Sequence, residues 1–115
     1  MKKKEIEEGN ILIAKFLDLN LQYRDGIIPI LENEWGEDDI LSEWAKWHIS
    51  WYWLMPVVEK IESMGYEVWL KKQSCWIYDY PEKKIVHIMD SYNKIEAVYK
   101  AVVEFIKWYN QQPTT

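Results

Sequence analysis

One cysteine, one arginine, two histidines and four glycines in 115 residues remove several classes of protein at the outset. Cys75 has no partner for an internal disulfide, which fits a reducing compartment better than an oxidising one. Arg24 is the sole arginine, and 14 basic residues stand against 19 acidic ones, a formal net charge of -5. Nucleic-acid binders lean on lysine and arginine to displace counterions from phosphates. Nucleic acid is therefore a disfavoured partner unless lysines gather locally. The glycines are too few and too scattered for a phosphate-cradling loop. No apolar run reaches the roughly 18 residues of a membrane span. Met1-Lys2-Lys3-Lys4 looks like the basic start of a secretory signal. Glu5, Glu7 and Glu8 follow at once, however, and the apolar stretch beyond is only about one helix long. A cytoplasmic protein with no membrane association is the expectation.

Aromatic side chains are what the chain has in excess: 8 Trp, 8 Tyr and 2 Phe, 16% of all residues, within a 49% hydrophobic composition. That apolar fraction suffices for a core, and the length suits one domain over 1–115. A domain of this size gains from burying rings but cannot hide every indole, so some aromatic surface is expected to be free or covered by a partner.

Periodicity orders the elements. Ile11 to Phe16 gives a short helical pattern with Asn10 as its N-cap, extending back toward Glu5 across a weakening Gly9. Leu19 to Tyr23 alternates like a half-buried strand, Arg24-Asp25-Gly26 is a turn, and Ile27 to Leu31 is a second strand that Pro29 pushes to an edge. Residues 32–49 lack a clean period and read as a long acidic, Trp-rich surface loop with one helical turn near Asp39 to Trp44. Ser50 to Met64 is a helix with Trp51, Leu54, Val58 and Ile61 on its apolar stripe, widened by Met55 and Val57, and Gly65 as the left-handed residue that stops it. Pro56 marks its first turn or kinks it.

Three short strands follow, over Tyr66–Lys71, Cys75–Tyr80 and Lys84–Met89, joined by turns at Lys72-Gln73-Ser74 and Pro81-Glu82. Cys75 and Ile77 share one face of the middle strand, and Trp76, Tyr78 and Tyr80 the other. The last helix starts at Asn93, with Glu96 completing a capping box, and carries Ile95, Val98, Val102, Phe105 and Tyr109 on one stripe before the tail 111–115. The expected class is α+β: a mostly antiparallel sheet of about four or five strands packed by three helices, in the order α-β-loop-α-β-β-β-α.

Three stretches carry a resemblance: Leu12 to Leu17, Ser50 to Glu62, and Lys94 to Asn110. Together they cover roughly a third of the chain, and they resemble small phage and prophage proteins of unknown function close to the phage ABA sandwich domain, a strand layer between helices. The resemblance implies a fold and a bacterial host cell. It implies no activity and no catalytic residues. The acidic Trp-rich loop is the part least similar to that group.

The candidate binding residues are Trp35, Trp44, Trp47, His48, Tyr52 and Trp53. Trp51 lies on the helix stripe and is assigned to the core. The cluster has two readings: a lid packed on the domain, or a recognition surface, because Trp and Tyr bury much area at little entropy cost. Glu37, Asp38 and Asp39 form a carboxylate run without the alternating ligands and glycine turn of a calcium loop. His48, His87 and Cys75 match no zinc spacing. Cys75 reads as a small buried hydrophobe, His48 as a polar rim residue, and His87 as an interior or edge histidine. No nucleophile, acid and base converge, so neither a catalytic set nor a metal nor a cofactor is assigned. The expected function is non-enzymatic binding to a protein partner or to a second copy. The alternative is a nucleotide-like or sugar-like small ligand closed in an aromatic pocket by residues 35–53.

Overall fold

A computed structural model describes residues 1–32, 38–79 and 83–113. The chain forms two compact units, Met1–Lys46 and Trp47–Thr115. The class is α+β, with antiparallel strands divided between two three-stranded sheets rather than gathered in one. Trp35, Glu37, Tyr80 and the Pro81-Glu82 turn lie outside the described residues.

In the first unit, α1 covers Lys3–Phe16 and buries Gly9, Asn10, Ile13 and Ala14 along one face. Lys2 occupies the N-cap position, so Asn10 is not the cap expected of it. It sits inside the helix, 2% exposed. Glu5, Glu7 and Glu8 are good helix formers, and together they outweigh the roughly 1 kcal/mol that Gly9 costs. β1 (Leu21–Arg24) and β2 (Ile28–Glu32) form a hairpin. Its loop holds Asp25 at φ 53 and Gly26 at φ 72, a left-handed pair that Asp and Gly adopt at least cost.

β2 is the central strand of this sheet, although Pro29 had marked it as an edge. The register resolves the conflict. β3 (Asp38–Ile40) pairs only with Ile30 to Glu32, while Pro29 faces Tyr23 of β1 alone. Beside Pro29 the strand is locally an edge, where a missing N–H breaks no ladder bond. β3 and the four-residue α2 (Leu41–Trp44) both fall in the stretch expected as a long loop, and α2 supplies the anticipated helical turn. Elements this short leave no period to detect. α2 packs on α1, β2 and β3, and buries Leu41.

In the second unit, α3 (Trp51–Ser63) buries Leu54, Val57, Val58 and Ile61, spaced i, i+3, i+4, i+7. The stripe is therefore centred on Val57 rather than Trp51. Trp51 is 39% exposed and does not belong to the core, and Met55 is exposed with it. Pro56 stands inside the helix on the exposed side, where the Tyr52 carbonyl it leaves without an intrahelical donor can face water. Gly65 has φ 98, the left-handed conformation expected just past the helix end.

β4 (Tyr66–Lys71), β5 (Ser74–Asp79) and β6 (Lys83–Ile88) make an antiparallel meander with β5 in the centre. On one face Ile77 opposes Val68 and Val86, and Cys75 opposes Leu70 and Ile88. α4 (Lys94–Asn110) packs on β5 and β6, and α3 packs on β4 and on α4, so both helices cover that face. Phe105 of α4 meets the ring of Tyr66 edge-on at 4.8 Å and tilts against Trp108 at 5.8 Å. The α4 N-terminus is capped by the Asn93 side chain, which accepts from the Glu96 N–H at 2.9 Å. The Glu96 carboxylate pairs with Lys100 at 2.9 Å.

Candidate functional site

The cluster expected from the sequence divides between the units. Trp35 is outside the described residues, and Trp44 ends α2 in the first unit, half-buried. The other four lie at the start of the second unit. Trp47 is 2% exposed, and its ring meets Trp53 edge-on at 5.3 Å. Such an edge-on pair is worth about 0.5–1.5 kcal/mol beyond its area. His48 is half-buried, with its ring 6.1 Å from that of Tyr99. Its Nδ1 is buried with no hydrogen-bond partner among the described residues. Burial pulls the imidazole below its ordinary pKa, because desolvation penalises the charged form. Tyr52 alone of the five that are described is open to solvent, at 89%. It stands with Trp51 and Met55 on the uncovered side of α3.

A larger aromatic surface was not singled out in the sequence. The face of the β4-β5-β6 sheet turned away from α3 and α4 carries Glu67, Trp69, Trp76, Tyr78 and His87 by strand alternation. The register places Trp69 opposite Trp76 and Trp76 opposite His87, so one row of rings crosses all three strands. Trp76 and His87 stack at 5.1 Å with 25° between their planes. Trp69 meets Tyr78 at 5.9 Å, and its indole N–H donates to Glu67 Oε2 at 3.0 Å. Trp69 remains 58% exposed, and His87 is exposed as well. The alternation within β5 was legible; the cross-strand alignment was not. His87 is thus an exposed residue of an edge strand, with Lys84 Nζ 3.4 Å from its Nδ1, and the interior reading of it falls.

The remaining chemistry is sparse. Cys75 is fully buried on the helix-covered face, and burial pushes its thiol up to about 12. Among the described residues no group of three His, Cys, Asp or Glu side chains could hold a metal ion. No helix among them is long and apolar enough to cross a membrane. Charge divides unevenly: Met1–Lys46 holds 6 basic and 11 acidic residues, and Trp47–Thr115 holds 8 of each. The aromatic sheet therefore belongs to a unit without net charge. No protein-family model matches the chain, and neither a curated protein nor a solved structure does.

Proposed function

We propose that the protein is a non-enzymatic binding module that engages another protein chain through the outer face of the β4-β5-β6 sheet. The observation that carries this reading is the row Trp69, Trp76 and His87, set in register across three strands on the face away from both helices. Trp and Tyr rings on a rigid sheet bury large area with little side-chain entropy to lose, which is why they dominate interface hot spots. Glu67 and Lys84 at the margin of the row supply the polar rim that such surfaces carry. The resemblance to phage proteins supports a partner in a bacterial cell, a host protein bound by an accessory phage factor.

The small-ligand reading draws less support. It needs several of Trp35, Trp44, Trp47 and Trp53 directed into one pocket, and Trp47 and Trp53 are packed on each other. A test separates the two. A protein retained from bacterial lysate by the wild-type chain is lost on Trp69→Ala and kept on Tyr52→Ala. Retention that Trp69→Ala leaves intact removes the sheet face from the binding reading. A saccharide or nucleotide array that shifts tryptophan fluorescence at micromolar concentration favours the ligand instead.

A further inference from the structure

A groove of about 430 Å³ runs beside β6. It is lined by four consecutive strand residues, Ile85 to Ile88, by Glu104, Lys107 and Trp108 of α4, and by Gln111 at that helix's C-cap. Neighbouring side chains of a strand point to opposite faces. A cavity that touches four in succession cannot lie over either face; it follows the strand's edge. β6 is an edge strand, paired with β5 on one side alone. Every second residue of such a strand directs its N–H and C=O away from the sheet, here into the groove. On the far side, Glu104, Lys107, Trp108 and Gln111 are spaced i, i+3, i+4, i+7, a single stripe of one helix.

We infer that this groove takes an extended acidic peptide segment of a partner as a fourth strand. The main chain of the peptide satisfies the free edge of β6, and its alternate side chains reach the α4 stripe. Four strand residues span roughly 13 Å, enough to register about four residues of the incoming chain. Charge sets the composition. Lys107 lines the groove, Lys83 Nζ stands 5.9 Å from the centroid of the Trp108 ring, and Lys84 Nζ lies beside His87. The one carboxylate lining it, Glu104, is already paired with Lys107 at 3.3 Å. With Lys107 offset by Glu104, the positive excess comes from Lys83 and Lys84 at the start of β6, and it selects a peptide that alternates acidic with apolar residues. Lys83 and Lys84 also open the strand with charges of the kind that keep edges from pairing indiscriminately, whereas Ile85 to Ile88 carries no such guard. This surface is distinct from the aromatic sheet face, shares only His87 and the rim lysine Lys84 with it, and does not depend on the reading given to that face.

The test uses the full chain and a fluorescein-labelled heptapeptide alternating glutamate with valine. A second copy is N-methylated on alternate residues along one edge, and a third has lysine in place of glutamate. Binding of the acidic peptide, with slowed amide exchange at alternate residues of β6 and not of β4, is the expected result. N-methylation abolishes it, the lysine peptide binds at least tenfold more weakly, and Lys107→Glu weakens the acidic peptide roughly five- to tenfold. Trp69→Ala leaves peptide binding unchanged, which keeps failure here separate from failure of the sheet-face reading. Equal binding by the N-methylated peptide, protection at β4 in place of β6, or no binding at about millimolar peptide overturns the inference. So does a concentration-dependent dimer in which the β6 amides are protected before peptide is added, since a second copy then fills the edge.

Discussion

Phe105 and Tyr52 each present one aromatic ring from a helix of the second unit, and the structure sets their energetic roles far apart. Phe105 is fully buried, with Tyr66 edge-on at 4.8 Å, Trp108 at 5.8 Å and Tyr109 stacked at 5.9 Å. Truncating it to alanine removes the transfer free energy of a whole ring, leaves a cavity between α4 and the sheet, and strips three rings of a neighbour. Phe→Ala at such sites costs about 3–5 kcal/mol. Tyr52 is 89% exposed, so Tyr52→Ala removes almost no buried area and restores a better helix former. Its expected effect lies within about 0.5 kcal/mol. The two deletions should therefore differ by roughly 3 kcal/mol, more than two decades in the folding equilibrium.

Far-UV circular dichroism during urea and thermal unfolding is the suitable assay, because eight tryptophans confuse fluorescence and Trp108 touches Phe105. Phe105→Ala is expected to lower the thermal midpoint by upwards of about 10 °C, and Tyr52→Ala by no more than a few degrees. A Tyr52→Ala loss above about 1.5 kcal/mol would mean that the start of α3 is packed where it is described as open. A Phe105→Ala loss below that value would refute the placement of α4 on the sheet.

Four further outcomes can be checked. As pH falls through the ordinary histidine value of about 6.5, the unfolded chain takes up a proton before His48 of the folded chain does, so stability declines as pH drops below about 7. In His48→Gln the urea midpoint should lose that slope, and an unchanged slope counts against the burial of the ring. Glu96 acts in a separate window. Its carboxyl is held low, chiefly by the Lys100 hydrogen bond, so its contribution is present above the ordinary carboxylate range and disappears as pH drops below about 4.5. Cys75 at about 12 has a thiolate fraction near pH 8 of roughly one in ten thousand, so Ellman's reagent should label the native protein at least about a thousandfold more slowly than free cysteine; rapid labelling would place the thiol at the surface. Asn93→Ala removes the acceptor for the Glu96 N–H and should cost about 1 kcal/mol in the same unfolding assay, with a silent substitution arguing that the cap is replaced.

The elements that could be read in the sequence are those whose pattern repeats enough to be periodic. α4 shows four turns of one apolar stripe and an Asn cap; the Gly65 stop and the alternation of Cys75 with Ile77 are equally local signals. The misplacements share a cause. Asn10 and Pro29 were assigned from residue preference and Trp51 from a place on the helix stripe, and each was overridden by something further away: a longer run of helix formers, a short third strand, and a stripe rotated toward Val57. β3 and α2 have three and four residues, too few for either period to appear. Preference is weak where an element is short, because tertiary contacts then supply nearly all of the energy that fixes it.

The candidate site exposes a sharper limit. Every ring on the outer sheet face was visible as an alternating residue of its own strand, yet sequence alone could not say that Trp69, Trp76 and His87 form one row. That depends on register, which is set by turn length and by the irregularity between Ile77 and Tyr78, where β6 supplies one residue more than β5. Upstream of that point, Val86 opposes Ile77 and His87 opposes Trp76. Beyond it, Tyr78 faces Lys84, and Ile85 is left without a partner. A slip of one residue would turn His87 inward and Val86 outward, dismantling the aromatic row and the core face together. The same irregularity leaves Ile85 at the mouth of the groove on the free edge of β6. Core, aromatic face and edge groove thus depend on a single register, so a shift of β6 that disturbed one surface would disturb all three. Inserting one residue between Val86 and His87 should therefore unfold the second unit rather than tune its binding, and a folded, binding-competent insertion variant would show that the register is not the common support.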